Sequence, residues 1–176
     1  MLLTFLAFSV LVFHRSEPPV IHLDPAAAAR LNTRLTQAEE TATATSPQVL
    51  RVEQNELNSL VASYVKTDPN GGAASSSPVR DLRLILSGDH IRMYLAYDFH
   101  GKEVTFELES KLHTSSGLLQ FEPLSGKLGA LPIPRSALQS SMRKMMDSPE
   151  ARQAMRLPGN LSDLRVEEGK MVATFR

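Results

Sequence analysis

The residue types that do most acid–base and metal chemistry are thinly spread in this chain. Its five histidines are His14, His22, His90, His100 and His113, and none stands at ligand spacing from another or from a carboxylate, as a helical zinc site requires. Asp98 and His100 share a strand face by alternation, an arrangement that a metal ion or an acid–base pair could use. Their position beside Gly101 reads more simply as a solvated turn. Glu107 and Glu109 also share a face, with Lys111 beside them, which is the pattern of a wetted strand surface. Ser75, Ser76 and Ser77 lack the G-x-S-x-G setting of a nucleophile, and the glycines form neither a phosphate loop nor a dinucleotide fingerprint. The chain has no cysteine, which removes thiolate zinc sites, cysteine nucleophiles and disulfides together. No catalytic residue, metal ligand or cofactor is assigned, and enzyme activity is not expected.

The chemistry that the spacing does favour is apolar. Met142, Met145, Met146 and Met155 fall in one short segment, and methionine fills irregular space and adapts to variable guests. Ordinary core packing is the plainer reading of the same residues. Arg135, Arg143, Lys144, Arg152 and Arg156 accompany them, as a solvated helix face or as a surface for anionic head groups. Facing this segment, the sequence offers an apolar strand surface. The candidate ligand-lining set is therefore Met93, Leu95, Phe106 and Leu108 on strands, with Leu138, Met142, Met145 and Met146 on a helix.

The elements that must position these residues centre on the stretch from Val79 to Leu128. Leu82, Leu84 and Leu86, then Ile91, Met93, Leu95, Tyr97 and Phe99, then Val104, Phe106 and Leu108 alternate with Arg83, Arg92, Asp98, Thr105, Glu107, Glu109 and Lys111. A period of two makes one face dry and the other wet, the signature of an antiparallel meander. Ser87-Gly88-Asp89 and His100-Gly101 supply its turns. A further strand is expected around Leu118 to Leu124, and Leu161 to Val166 with Met171 to Phe175 reads as a closing hairpin turned at Glu168-Gly169. Leu57, Leu60, Val61, Tyr64 and Val65 recur at helical spacing, predicting a helix from about Glu53 to Lys66 after a short strand at Val49 to Val52. A second main helix is expected from Arg135 to Asp147, and Ser148-Pro149 opens a short one behind it. Asp68 to Pro78, with Gly71-Gly72 and its serines, reads as a mobile surface loop.

The N-terminal residues 1–13 read MLLTFLAFSVLVF, a run shorter than the roughly 20 apolar residues that span a bilayer. It reads as a hydrophobic anchor, with a cleaved signal or a core element as alternatives, and the true start is expected upstream of Met1. Residues 14–47 read as a spacer helix, capped by Asp24 with Pro25 at its first position, followed by a Thr/Ala/Ser-rich linker. Its apolar residues are small or sparse, which suits a spacer better than a core helix. The globular domain is expected over residues 48–176. Nineteen basic and nineteen acidic side chains cancel in the 176 residues, which disfavours a nucleic-acid partner, and the absence of tryptophan argues against stacking platforms.

This order of parts, with Glu56-Leu57-Asn58 on the first helix and the G-x-L-P-I-P-like segment from Gly129 to Pro134 before the second, resembles the YpmS-like membrane-anchored bacterial proteins of unknown function. It is more distantly similar to small tubular lipid-binding (TULIP-like) domains. The resemblance implies a curled sheet wrapped around a helix over an apolar groove, and brings no catalytic residues. The expected fold is α+β: a curved, mostly antiparallel sheet of five to seven strands with two main helices on its concave face. The expected function is a membrane-tethered extracytoplasmic domain that binds or shelters a lipid or other apolar ligand. The rival is a non-catalytic structural or interaction module of the cell envelope with a solid core.

Overall fold

A computed structural model describes residues 14, 16–66 and 79–176. In chain order the elements are α1 (Pro25–Thr41), β1 (Gln48–Val52), α2 (Gln54–Lys66), β2 (Val79–Ser87), β3 (His90–Phe99), β4 (Lys102–Ser115), β5 (Leu118–Leu128), β6 (Leu131–Pro132), α3 (Arg135–Asp147), α4 (Pro149–Ala154), β7 (Leu161–Glu167) and β8 (Lys170–Phe175). The expected anchor over residues 1–13 and the serine-rich loop from Asp68 to Pro78 lie outside the described residues.

The fold is α+β, built on a five-stranded antiparallel sheet of order β2-β3-β4-β5-β6. Its register places Leu84 opposite Met93 and Met93 opposite Leu108, so one row of apolar side chains crosses three strands. The hairpin turns follow from residue type. His100-Gly101 and Glu168-Gly169 both hold two consecutive residues at positive φ (52° and 78°, 51° and 72°), the condition for a two-residue turn whose twist matches its strands.

Four features depart from the sequence pattern, each for a reason that local spacing does not carry. The described residues form two sheets rather than one, because β7 and β8 pair with β1 in a three-stranded sheet of order β1-β8-β7. Leu50, Val52, Val166, Met171 and Phe175 of this small sheet pack with Leu86, Ile91 and Leu112 of the large one, and this is the main core. The apolar face of the large sheet is thus shared between the small sheet and α3, and not covered by two helices.

Second, α2 sits at the edge of the sheet. Asn58 is 1% exposed, its amide nitrogen donates to the Leu84 carbonyl (2.6 Å), and its amide oxygen accepts from the Leu84 N–H (2.8 Å). Gln54 accepts from the Leu86 N–H (2.9 Å). Two side-chain amides therefore take the place of a neighbouring strand and close the free edge of β2. Glu56 accepts from the Glu53 N–H and pairs with Arg34, and Leu57 packs on the core, so the Glu56-Leu57-Asn58 motif is a structural device.

Third, α1 is not a spacer. Asp24 caps it as its sequence reads, accepting from the Ala26 N–H at 2.9 Å, but Ala27, Ala28 and Leu31 are buried and Leu31 belongs to the main core. Alanines allow the close helix approach that α1 makes with α2, where larger side chains would hold the two apart. The packed unit therefore begins well before Gln48.

Fourth, the wet face is dry at its centre. Tyr94, Ala96 and Thr105 are each at most 2% exposed there. The segment from Ser16 to Pro19 crosses this face: Tyr94 donates its hydroxyl to the Ser16 carbonyl (3.2 Å), Ser16 N–H donates to Thr105 Oγ1 (3.3 Å), and Arg83 donates to the Pro19 carbonyl.

Candidate functional site: an apolar groove between the sheet and α3

The segment that delivers α3 to the sheet is written by its glycine and prolines. Gly129 turns the chain at φ 59°, Leu131 and Pro132 pair briefly with β5, and the Ile133 N–H donates to the Gly126 carbonyl at 2.8 Å. The Pro134 carbonyl then accepts from Ala137 and Leu138, opening the helix. Leu138 is the buried residue of α3, and it rests on Gly126, where no side chain intervenes. An alanine Cβ at Gly126 would stand 2.9 Å from Leu138 Cδ1.

Beside that contact the helix and the strands border a groove of about 460 Å³. Its floor is Met93, Phe106, Leu108 and Phe121 of β3, β4 and β5. Its roof is Ala137, Leu138, Ser141, Met142 and Met145 of α3, with Ile133 and Met155 closing the ends. The Ser141 hydroxyl is the only side-chain polar group in this lining. Such a volume falls within the roughly 300–1,000 Å³ of small-molecule sites, and the near absence of polar groups suits an apolar guest.

Six of the eight sequence-derived candidates come together here: Met93, Phe106, Leu108, Leu138, Met142 and Met145. Leu95 and Met146 are not part of the lining. Leu95 pairs with Phe106 across β3 and β4 and is only partly buried, and Met146 follows Met145 around the helix toward the flank. Sequence reasoning missed Phe121, Ile133, Ala137, Ser141 and Met155 as lining residues. Phe121 had an apolar strand pattern, but only the β4–β5 register, with Leu112 opposite Phe121, shows which way it faces. Met155 lies in a bridge region where the Leu119 N–H donates to the Met155 carbonyl (2.8 Å), a contact between segments that no local pattern announces.

The Asp98 and His100 arrangement resolves into a turn. The Asp98 carboxylate accepts from Arg80 (2.7 Å) and from the Gly101 N–H (2.7 Å), and these bonds, Arg80 first, hold its carboxyl below the ordinary range. It is occupied in holding the hairpin, and His100 stacks edge-on against Phe99 at a centroid distance of 4.6 Å. Among the described residues no helix is long and apolar enough to cross a membrane. Set beside known proteins, the chain matches no family model, no curated protein and no solved structure.

Proposed function

We propose that this protein is a non-catalytic module that binds or shelters a lipid or other apolar ligand in the groove beneath α3. The observation that carries the reading is the groove itself: about 460 Å³ walled by methionine, leucine and phenylalanine, under a helix whose one buried residue is Leu138. A helix serving only to seal a core would bury its whole apolar stripe, since a void forfeits the dispersion contacts of every atom that lines it. Met142 and Met145 remain partly or largely exposed, which suits flexible side chains that close on a guest. The YpmS-like and TULIP-like resemblance and the apolar run at residues 1–13 extend the proposal to a membrane-tethered, extracytoplasmic domain.

A fluorescent fatty-acyl probe titrated into the whole protein tests the binding. Saturable fluorescence gain is expected, and Met142→Glu abolishes it, because a carboxylate in an apolar lining must be desolvated by any guest. Circular dichroism melts of the variant verify that the fold survives, as they should for a residue on the helix surface. Absence of probe binding by the wild-type protein, together with a Leu108→Ala loss of the full 2–5 kcal/mol expected of about one buried leucine in a solid core, would sink the proposal and leave the interaction module.

A further inference from the structure

We propose that the occupant of the groove is an anionic amphiphile, its head group held at the Ser141–Lys144 margin. This rests on the apolar-ligand reading above and goes on to name the ligand's chemical class. From Arg135 to Arg156 the chain carries five basic and two acidic side chains, a net charge of +3, within a protein whose 19 basic and 19 acidic residues cancel. The cover of the groove is therefore the basic part of a neutral molecule, and its charge complements an anion. Helical geometry puts Lys144 on the margin: it follows Ala137 and Ser141 by two turns and one turn, and both of those line the groove. Arg143 points to the opposite side of the helix by the same geometry.

The polar groups at this margin are uncommitted. Arg135 pairs with Glu122 and Arg152 with Asp147, but among the described residues neither the Lys144 ammonium nor the Ser141 hydroxyl has a partner. A hydroxyl and an ammonium one helical turn apart supply a donor pair for a carboxylate or a phosphate, while the lining beside them takes the chain. Neutral heads would leave the ammonium without a counter-charge, and cationic heads would meet repulsion.

Four probes of equal chain length, ending in a carboxylate, a phosphate, a hydroxyl and a quaternary ammonium, are titrated into the full-length protein by displacement of the fluorescent acyl probe. The carboxylate or the phosphate, and the stronger of the two shows which head is preferred, is expected to bind about tenfold tighter than the alcohol, as one partly exposed charge-assisted contact gives. The ammonium is expected to be weakest, and the preference should shrink with added salt. Lys144→Gln combined with Ser141→Ala should bring the anionic and neutral probes level. Equal binding of all four heads by the wild-type protein overturns the head-group inference and leaves the groove standing. Failure of all four overturns the groove reading itself. Binding to anionic phospholipid vesicles that is lost in Lys144→Gln, with no monomeric probe bound, also overturns the inference, since it would make this margin a membrane-docking surface.

Discussion

At the scale of single residues, two polar side chains do what apolar spacing cannot. Asn58 satisfies both backbone groups of Leu84 from inside the molecule, and it does so at 1% exposure. Asn58→Leu would keep the bulk and strand one N–H and one C=O, so a loss of about 2–4 kcal/mol is expected from two unpaired groups, read by urea denaturation. Asn58→Asp keeps the acceptor for the Leu84 N–H but sets a carboxylate against the Leu84 and Gln54 carbonyls. Burial and those carbonyls would raise its folded pKa above its unfolded one, so the folded form binds more protons and the penalty grows as pH rises. The variant should therefore be worst near neutrality and partly recover in acid. Asp24 shows the opposite sign. The Ala26 N–H first, and then Arg30, hold its carboxyl below the ordinary range, so its contribution is present above the unfolded value and is lost as pH falls through the folded one. The melting temperature of Asp24→Asn, which retains a capping oxygen but cannot titrate, should lie below wild type at neutral pH and converge with it in acid. The Asp24-Pro25 cap was legible in sequence because capping is local. The role of Asn58 was not, since it depends on which strand edge the helix meets.

At the scale of elements, alternation disclosed the meander and helical spacing disclosed α2 and α3, because both patterns are written within a few turns of chain. Pairing between β1 and β8 joins Gln48 to Phe175 across most of the sequence, and no local pattern contains it. The same limit explains the second face of the sheet: Tyr94, Ala96 and Thr105 are buried at positions that alternation assigns to water, and the crossing segment at Ser16 hydrogen-bonds Tyr94 and Thr105 there. The groove was half legible for this reason, since its strand and helix residues carried apolar stripes but their meeting includes a contact that neither stripe contains. That contact is Leu138 on Gly126. Gly126→Ala would place a Cβ 2.9 Å and 3.1 Å from the two Leu138 methyl carbons and 3.3 Å from the Glu107 carbonyl oxygen. The leucine can rotate and the backbone carbonyl cannot, so a loss of about 1–3 kcal/mol is expected, with Leu138 turned into the groove. Acyl-probe affinity should fall in step. In a Leu138→Ala background only the 3.3 Å approach to the Glu107 carbonyl oxygen remains, and the same substitution should cost less, a non-additivity that a double-mutant cycle measures directly.

At the scale of the whole molecule, the N-terminal part of the described chain is bound to the rest at both ends of its path. Ser16 and Pro19 are hydrogen-bonded to the sheet, Asp24 N–H donates to Ser59 Oγ of α2 (2.9 Å), and α1 buries Leu31 at 1% exposure in the main core. The Thr43–Ser46 turn then leads directly into β1. This attachment holds the segment from Ser16 to Thr41 against the sheet and α2, where a free spacer would not be held. It also sets where the chain can be cut. Removal of residues 1–15 leaves every one of these contacts in place, and a cooperative thermal melt is expected. Removal of residues 1–47 strips α1 from Leu50 and Leu57, uncovers Tyr94 and Thr105, and loses the Arg34 pair with Glu56. One buried leucine alone is worth about 2–5 kcal/mol, and a domain of this size holds only about 5–15 in total. The shorter chain should therefore lose its cooperative transition and expose apolar surface to a hydrophobic dye. If residues 48–176 instead melt sharply and bind the acyl probe like the full protein, α1 contributes nothing essential and the packed unit does begin at Gln48.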